Sequence, residues 1–322
     1  MNIKLSARRL TAALFTMLLI GGLCGGASAQ TAVSSCQTLS APGNYFLTGN
    51  LSATGDCLVI AAANVAIDLK GKTITGNGGG SGITDDGGDR DYAVIVNGKI
   101  RNFDTGINLH SSGSAIISNI NASNNGSQGI FIKECCNTLN AVTANNNIAG
   151  IVIQSDDSSL TNIQANGNSG GGILITSCCN TLVGATASNN TGIGVEMEDG
   201  DSFVVGSKVQ KNSDIGVELT SGDNGVIQST TSKNGGDGMD LGGGDNMVVA
   251  SKSTGNGGIG VDMGTNRWGI FSGVQASKNA GDGVDMGCRG STASLKAQKN
   301  SGTNLVQTLI DAPCANVNLN AP

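Results

Sequence analysis

The sequence predicts an all-β solenoid of about a dozen 22-residue coils, and three observations carry that prediction. The first is a repeat. Gly, aliphatic, any residue, aliphatic returns at Gly106, Gly129, Gly150, Gly172, Gly194, Gly216, Gly238, Gly260 and Gly283, always 21 to 23 residues apart. A fixed period of this length decides architecture before any local propensity does. The second is alternation. Side chains of a strand point to opposite faces in turn, so the first and third residues after each Gly share a side. Both columns are wholly apolar, from Ile107 and Leu109 to Val284 and Met286, and must face inward. The third is composition: 51 Gly, 3 Pro and 3% aromatic residues are too few large side chains for a single-core globule of 322 residues. Stacked coils need fewer, because each buries one narrow layer against its neighbours.

Taken in order, the chain opens with Lys4, Arg8 and Arg9, an apolar run from Leu10 to Leu23, and Ala27-Ser28-Ala29. Residues 1–29 read as a signal peptide cut between Ala29 and Gln30, which predicts a secreted or periplasmic protein. Leu23 before Cys24 disfavours lipidation there, and no later apolar run is long enough for a membrane span. Residues 30–101 read as entry coils, with short strands around Tyr45–Leu47, Leu58–Ile60, Val65–Leu69 and Ile74. Cys36 and Cys57 are expected to bridge and close the terminal layer. Gly76 to Asp91, rich in Gly and Asp, reads as a loop thrown out of the coil, followed by a second entry coil at Val94, Val96 and Ile100.

Residues 102–307 hold the regular repeats. A further inward column is expected ten residues after each Gly, at Ile116, Leu139, Leu160, Leu182, Val204, Val226, Val248 and Ile270, with room for a third strand near Ala144, Ala165, Ala187 and Val209. An Asn stands four residues before every Gly, at 102, 125, 146, 168, 190, 212, 234, 256 and 279, with Asn300 continuing the series. Asn tolerates a left-handed turn, and its amide both donates and accepts, so stacked copies are expected to bond along the column. Residues 308–322 read as a C-terminal tail or cap, pinned through Cys288 and Cys314.

A 22-residue coil with inward aliphatics, a stacked Asn and the strand motif G-[IV]-x-[ILM] resembles the pectate-lyase-like superfamily of right-handed parallel β-helices. The opening P-G-N-Y-F-L-T-G-N-L and the later V-A-I-D-L-K-G-K-T-I-T-G are similar to the entry coils of exported β-helix-repeat proteins. The resemblance implies a groove along a strand face where polysaccharides are bound, cleaved or epimerised. Gly236-Asp237-Gly238-Met239-Asp240 and Gly281-Asp282-Gly283-Val284-Asp285 are similar to the N-x-D-G-x-D coil of polygalacturonase-type glycosidases. The Asp-Asp pair those enzymes carry one coil later is replaced by Gly255-Asn256-Gly257-Gly258, and no His follows His110. No basic residue lies on the acidic strand face where a lyase of this fold would hold its base.

The outward position two after each Gly is the most informative column. It reads Asn108, Phe131, Val152 and Leu174, then Glu196, Glu218, Asp240, Asp262 and Asp285. Neighbouring carboxylates about 4.8 Å apart repel, so folding alone does not favour five in succession. Three readings stand: a solubilising edge; glycosidase-type acids drawn from Asp237, Asp240, Asp262 and Asp285, with Phe131, Glu196 and Glu218 contacting substrate; or a calcium ladder using Asp240, Asp262 and Asp285. Phe131, Val152 and Leu174 form either a contact surface or the seat of a folded-over loop. Asp157, Asp201, Asp223 and Asp245 are expected to cap turns. Cys135-Cys136 and Cys178-Cys179 lie too far apart to cross-bridge, so each pair closes on itself or stays reduced. Cys136, Asp157 and Cys179 are of metal-ligand type but lack a fourth member. His110 stands one rung from Lys133, as base, anion site or plain turn residues. Lys208, Lys211, Lys233, Lys278 and Lys299 form a basic face elsewhere, Trp268 is isolated, and the formal charge of −6 argues against nucleic acid. The expected partner is a polysaccharide or cell-envelope component. The rival is a non-catalytic scaffold.

Overall fold

The computed structural model describes residues 30–264, 268–286 and 289–307. They form a parallel β-solenoid whose strands fall into three sheets. Sheet A runs from Gln30–Val33 to Arg289–Ala293, sheet B from Gln37–Leu39 to Leu305–Gln307, and the shorter sheet C from Gln164–Asn166 to Lys296–Gln298. Every pairing is between successive coils and in register, so Val195 stands over Val217, Val217 over Met239 and Met239 over Val261. The predicted inward columns on sheet B are buried from Ile107 to Met286. Ala165, Ala187 and Val209 fill the expected third strand, and Ala144 is buried one coil earlier. Among the described residues no helix is long and apolar enough to cross a membrane. Residues 1–29, Cys288, Cys314 and residues 308–322 lie outside the described residues, so the signal peptide, its cleavage after Ala29 and the C-terminal cap do too.

The repeated Gly has a steric cause. A Cβ on Gly216 would lie 2.5 Å from the carbonyl oxygen of Gly238 and 2.6 Å from the amide nitrogen of Asn234; the other eight meet the next coil in the same way. The empty space is filled by the amide of the stacked Asn. In that ladder Asn190 donates both its backbone N–H (3.0 Å) and its Nδ2 (2.9 Å) to Oδ1 of Asn212, while Nδ2 also donates to the carbonyl of Ala165 at 3.0 Å. The pattern then runs through Asn234, Asn256, Asn279 and Asn300.

Two members of the predicted Asn column are wrong. Asn102 and Asn146 are exposed. The buried positions belong to Phe103, whose N–H donates to Asn125, and to Asn147, which accepts from Asn125 and donates to Asn168. The residue before the ladder, not the ladder Asn, takes the left-handed turn: Asn102 (φ 60°), Asn146 (56°), Lys211 (56°) and Lys233 (57°) all do so. Counting back from Gly slipped by one where a coil is a residue longer or shorter. The same slip affects Ile116 and Ile270, expected inside but 41% and 44% exposed. Ile117 and Phe271 occupy the inward column, stacked beside Leu139 and Val248. The 23-residue coil that begins at Gly106 places its extra residue in the turn between sheets B and A.

The entry coils hold two further differences. Gly76 to Asp91 is not a loop thrown outward: Ser81–Asp85 is a buried strand of sheet B, because Ile83 continues the inward column between Leu58 and Ile107. In the strand Val94–Arg101, Ile95 and Ile100 point inward while Val94 and Val96 are half-buried on the outer face. Cys36 and Cys57 form the expected disulfide, which joins the first two coils. Cys135 and Cys136 close on each other, as do Cys178 and Cys179, so neither pair is available as metal ligands. These disulfides fit a protein outside a reducing cytosol.

Candidate functional site

The parallel register brings the outward residues of sheet B into one file. Thr84, Asn108, Phe131, Val152 and Leu174 stack rung on rung, then Glu196, Glu218, Asp240, Asp262 and Asp285 follow without a break. Phe131 is half-buried and in ring contact with His110 at 5.0 Å, while Val152 is almost covered. Lys133, the next rung after His110, is exposed as expected of a turn position.

The acidic file is wider than the sequence column alone. Asp214, Asp237 and Asp282 come from the turn that enters sheet B, and Glu198 from the turn that leaves it. Asp237 accepts the N–H of Ile259 and Asp282 that of Thr303, one coil on in each case. Asp262 accepts the N–H of Gly264 at 2.7 Å. The ion pairs among the described residues, Lys70–Asp68 and Arg90–Asp86, both lie near the other end of the solenoid. With like charges crowded and partly covered, several carboxyls of this face are harder to ionise than usual. Burial first, then Glu198 and Asp214, push Glu196 up, and burial with Glu196, Asp214 and Glu198 does the same to Glu218. Asp237 is raised by burial against the pull of the Ile259 N–H, with Asp262 and Asp214 adding to the rise. Asp285 is raised by burial, then by Asp262 and Asp282, and its Oδ1 is buried without a hydrogen-bond partner.

Of the expected site residues, Asp240, Asp262 and Asp285 stand on adjacent rungs of one column. Asp237 lies beside them, and Glu196 and Glu218 continue the same line. Phe131 is three rungs from Glu196, in the apolar half of the file. Among the described residues no three acidic, His or Cys side chains are placed to hold a metal. The expected turn caps Asp157, Asp201 and Asp223 instead occupy left-handed positions, at φ 52°, 55° and 60°. The residues after them form a second ladder, in which Ser158 donates its N–H to Asn180, Asn180 to Ser202 and Ser202 to Asn224.

Sequence reasoning missed an apolar strip on the outer face of sheet A. Val183, Val205, Ile227 and Val249 stack in one file, and Phe203, Met247 and Ile270 in the next, with Gly225 lying beneath the Phe203 ring. All seven are half-buried or exposed. The inward Val204 and Val248 hid the signal, because Phe203-Val204-Val205 and Met247-Val248-Val249 read as continuous apolar runs whose outer members look like core.

Residues 192–305 match a family model described as "Right handed beta helix region". No curated protein is matched by the sequence. Among solved structures, the chain is similar to the catalytic domain of a GH87 alpha-1,3-glucanase in complex with nigerose, at TM-score 0.66 and 11% identity over 88% of this chain and 68% of that one. It is also similar to the A-module of the Azotobacter vinelandii mannuronan C-5 epimerase AlgE4, at TM-score 0.55 and 14% identity over 89% of this chain and 88% of that one. A mutant tailspike protein of E. coli bacteriophage HK620 in complex with pentasaccharide aligns at TM-score 0.58 and 10% identity, over 89% of this chain and 62% of that one. Identities this low speak to fold alone. Its three parallel sheets and in-register stacking make the chain a parallel β-solenoid, within which residues 192–305 match the right-handed β-helix model.

Proposed function

We propose that the outer file of sheet B is a glycan-binding face of an exported protein, and that its acids act on a glycosidic bond. The observation that carries this reading is the unbroken stack of Asp240, Asp262 and Asp285 on successive rungs, with Asp237 in the turn beside it. Burial raises Asp237 and Asp285 from the ordinary aspartate value, and Asp262 is among the charges that add to the rise. A carboxyl kept protonated can donate to a leaving glycosidic oxygen while an ionised neighbour serves as base or nucleophile. Phe131 and Leu174, with the almost covered Val152 between them, extend the file as apolar contact for sugar faces, and Glu196 and Glu218 offer acceptors to hydroxyls. The saccharide complexes among the fold relatives support a carbohydrate partner. A file of like negative charges repels an anionic chain, so this face suits a neutral glycan, or an anionic one only with a divalent cation between them.

The test is a screen of neutral and acidic polysaccharides for new reducing ends and for ultraviolet absorbance of unsaturated products, with and without calcium. Turnover by the natural protein and its loss in Asp262→Asn and Asp285→Asn is the expected result. Thermal stabilisation by a glycan without turnover reduces the role to binding. Neither effect with any glycan favours the rival reading, a non-catalytic scaffold, to which the apolar strip of sheet A gives specific support as a protein-contact surface.

A further inference from the structure

Every lysine after Lys133 lies on sheet C or in the turn that follows it. Lys208, Lys252 and Lys296 share one outward column, alternating with Thr230 and Gln275, so a lysine recurs on every second rung. Lys211, Lys233, Lys278 and Lys299 stand in the adjoining turn, on four of five successive coils. All seven are exposed. The outward positions of sheet C carry no carboxylate, and among the described residues no ion pair reaches any of these lysines. On the strands themselves acids and lysines of the same coils are thus segregated, onto sheets B and C, while the turn between the two sheets carries both, Asp214, Asp237 and Asp282 following Lys211, Lys233 and Lys278.

The turn lysines add an independent point. All four have φ between 56° and 59°, a left-handed conformation that favours Gly and Asn. The earlier coils fill the same position with Asn124, Asn146, Gly167 and Asn189. Ala141, Gln228 and Ala250 take left-handed φ at other turns, so it is the recurrence of lysine at this one turn position, not the strain alone, that marks it.

We propose that this lysine face binds a linear anionic glycan lying along the solenoid axis. The lysine backbone positions recur at intervals of one and two rungs, about 4.8 and 9.6 Å, a line of charge that matches acidic groups repeated along an extended polymer. Between and beside them stand Gln210, Ser232, Thr254 and Ser277, hydroxyls and amides suited to sugar hydroxyls. The face carries no aromatic side chain, so it lacks the stacking platform that single-stranded nucleic acid uses. This site is separate from the acidic file of sheet B and does not depend on that file's chemistry.

The experiment measures binding of the full chain to polygalacturonate and to dextran sulfate, with uncharged dextran, single-stranded DNA and phosphatidylglycerol vesicles alongside, over a series of salt concentrations. The expected result is salt-sensitive binding to one or both anionic glycans and none to dextran. The two separate carboxylate from sulfate as the preferred charge. Lys208→Gln/Lys252→Gln/Lys296→Gln weakens binding at least tenfold, while Asp240→Asn/Asp262→Asn leaves it unchanged. That second variant tests the sheet B reading alone, so the two readings fail separately. Absence of binding to both anionic glycans at low salt overturns the proposal, as does a lysine triple variant that binds like the natural protein. DNA or vesicles bound more tightly than either glycan overturn the choice of partner. Salt-sensitive self-association abolished by Asp240→Asn/Asp262→Asn assigns the lysines to the acidic file of a second copy and overturns it as well.

Discussion

The coils before Gly194 and those after it are the same object on the inside and different objects on the outside. Inward, both halves stack aliphatic on aliphatic and amide on amide, from Ile130 and Asn125 to Val261 and Asn256. Outward, the file on sheet B changes from Phe131, Val152 and Leu174 to five carboxylates, and the left-handed turn changes from Asn and Gly to Lys on every later coil but that of Gly255. Stacking geometry dictates an inward residue because the coil above and the coil below leave one shape to fill. It leaves the outward residue open, so a sustained outward pattern that folding disfavours points to something the surface meets.

The largest effect that tests this division is inside. Gly150→Ala and Gly216→Ala should each cost about 3 kcal/mol in urea unfolding, because both Cβ atoms would press on the next coil's Gly carbonyl, at 2.4 and 2.5 Å. Markedly unequal losses would break the claim that the two halves are interchangeable inside. Next is the one-residue correction in the amide ladder. Asn147→Ala strands buried donors and should cost about 2 kcal/mol, whereas Asn146→Ala, exposed and left-handed, should cost no more than about 1 kcal/mol. The reverse order would restore the position four residues before Gly as the true ladder.

Smaller effects lie outside. Lys233→Gly should stabilise by about 1 kcal/mol and Asn124→Lys destabilise by a similar amount, measured as shifts in denaturation midpoint. Glu218→Gln should raise stability at neutral pH by less than about 1 kcal/mol and do nothing once the pH falls to the ordinary glutamate value. The sign follows from the raised folded-state value of Glu218: the native protein holds the proton more tightly than the unfolded chain. The cost of its charge is fully present above that raised value and vanishes as pH falls through it toward 4.5. At the other end, Arg90 beside Asp86 holds that carboxyl at about 2, so what it contributes is kept above 3.8 and lost only as pH falls toward 2. Mild acid should therefore relieve the acidic half before strong acid harms the entry coils, and a melting temperature that drops steadily from neutral pH would contradict this.

The fold was legible because its evidence is redundant: nine glycines and two apolar columns state the same period. Its errors sit where that redundancy lapses. Asn145-Asn146-Asn147 offers three candidates for one ladder place, and Ile116-Ile117 and Ile270-Phe271 each offer two for one core place. Only the register of the neighbouring coil decides among them. Ser81–Asp85 looked like a loop because its surroundings are Gly and Asp, yet Ile83 continues the inward column, and Ser81, Thr84 and Asp85 are tied in by side-chain hydrogen bonds. The position of the candidate site was visible as a column, but its full set of acids was not. Asp214, Asp237 and Asp282 reach it from a turn, where no alternation rule says which way a side chain points.

From Gly172 to Gly260 the glycines are spaced by 22 residues without exception, and every residue there faces its own counterpart one coil away. A tandem copy of any 22 consecutive residues within that span therefore joins head to tail with no frame to respect, wherever the breakpoint falls. The molecule can lengthen by gene duplication one layer at a time, carrying each charged stripe along with it.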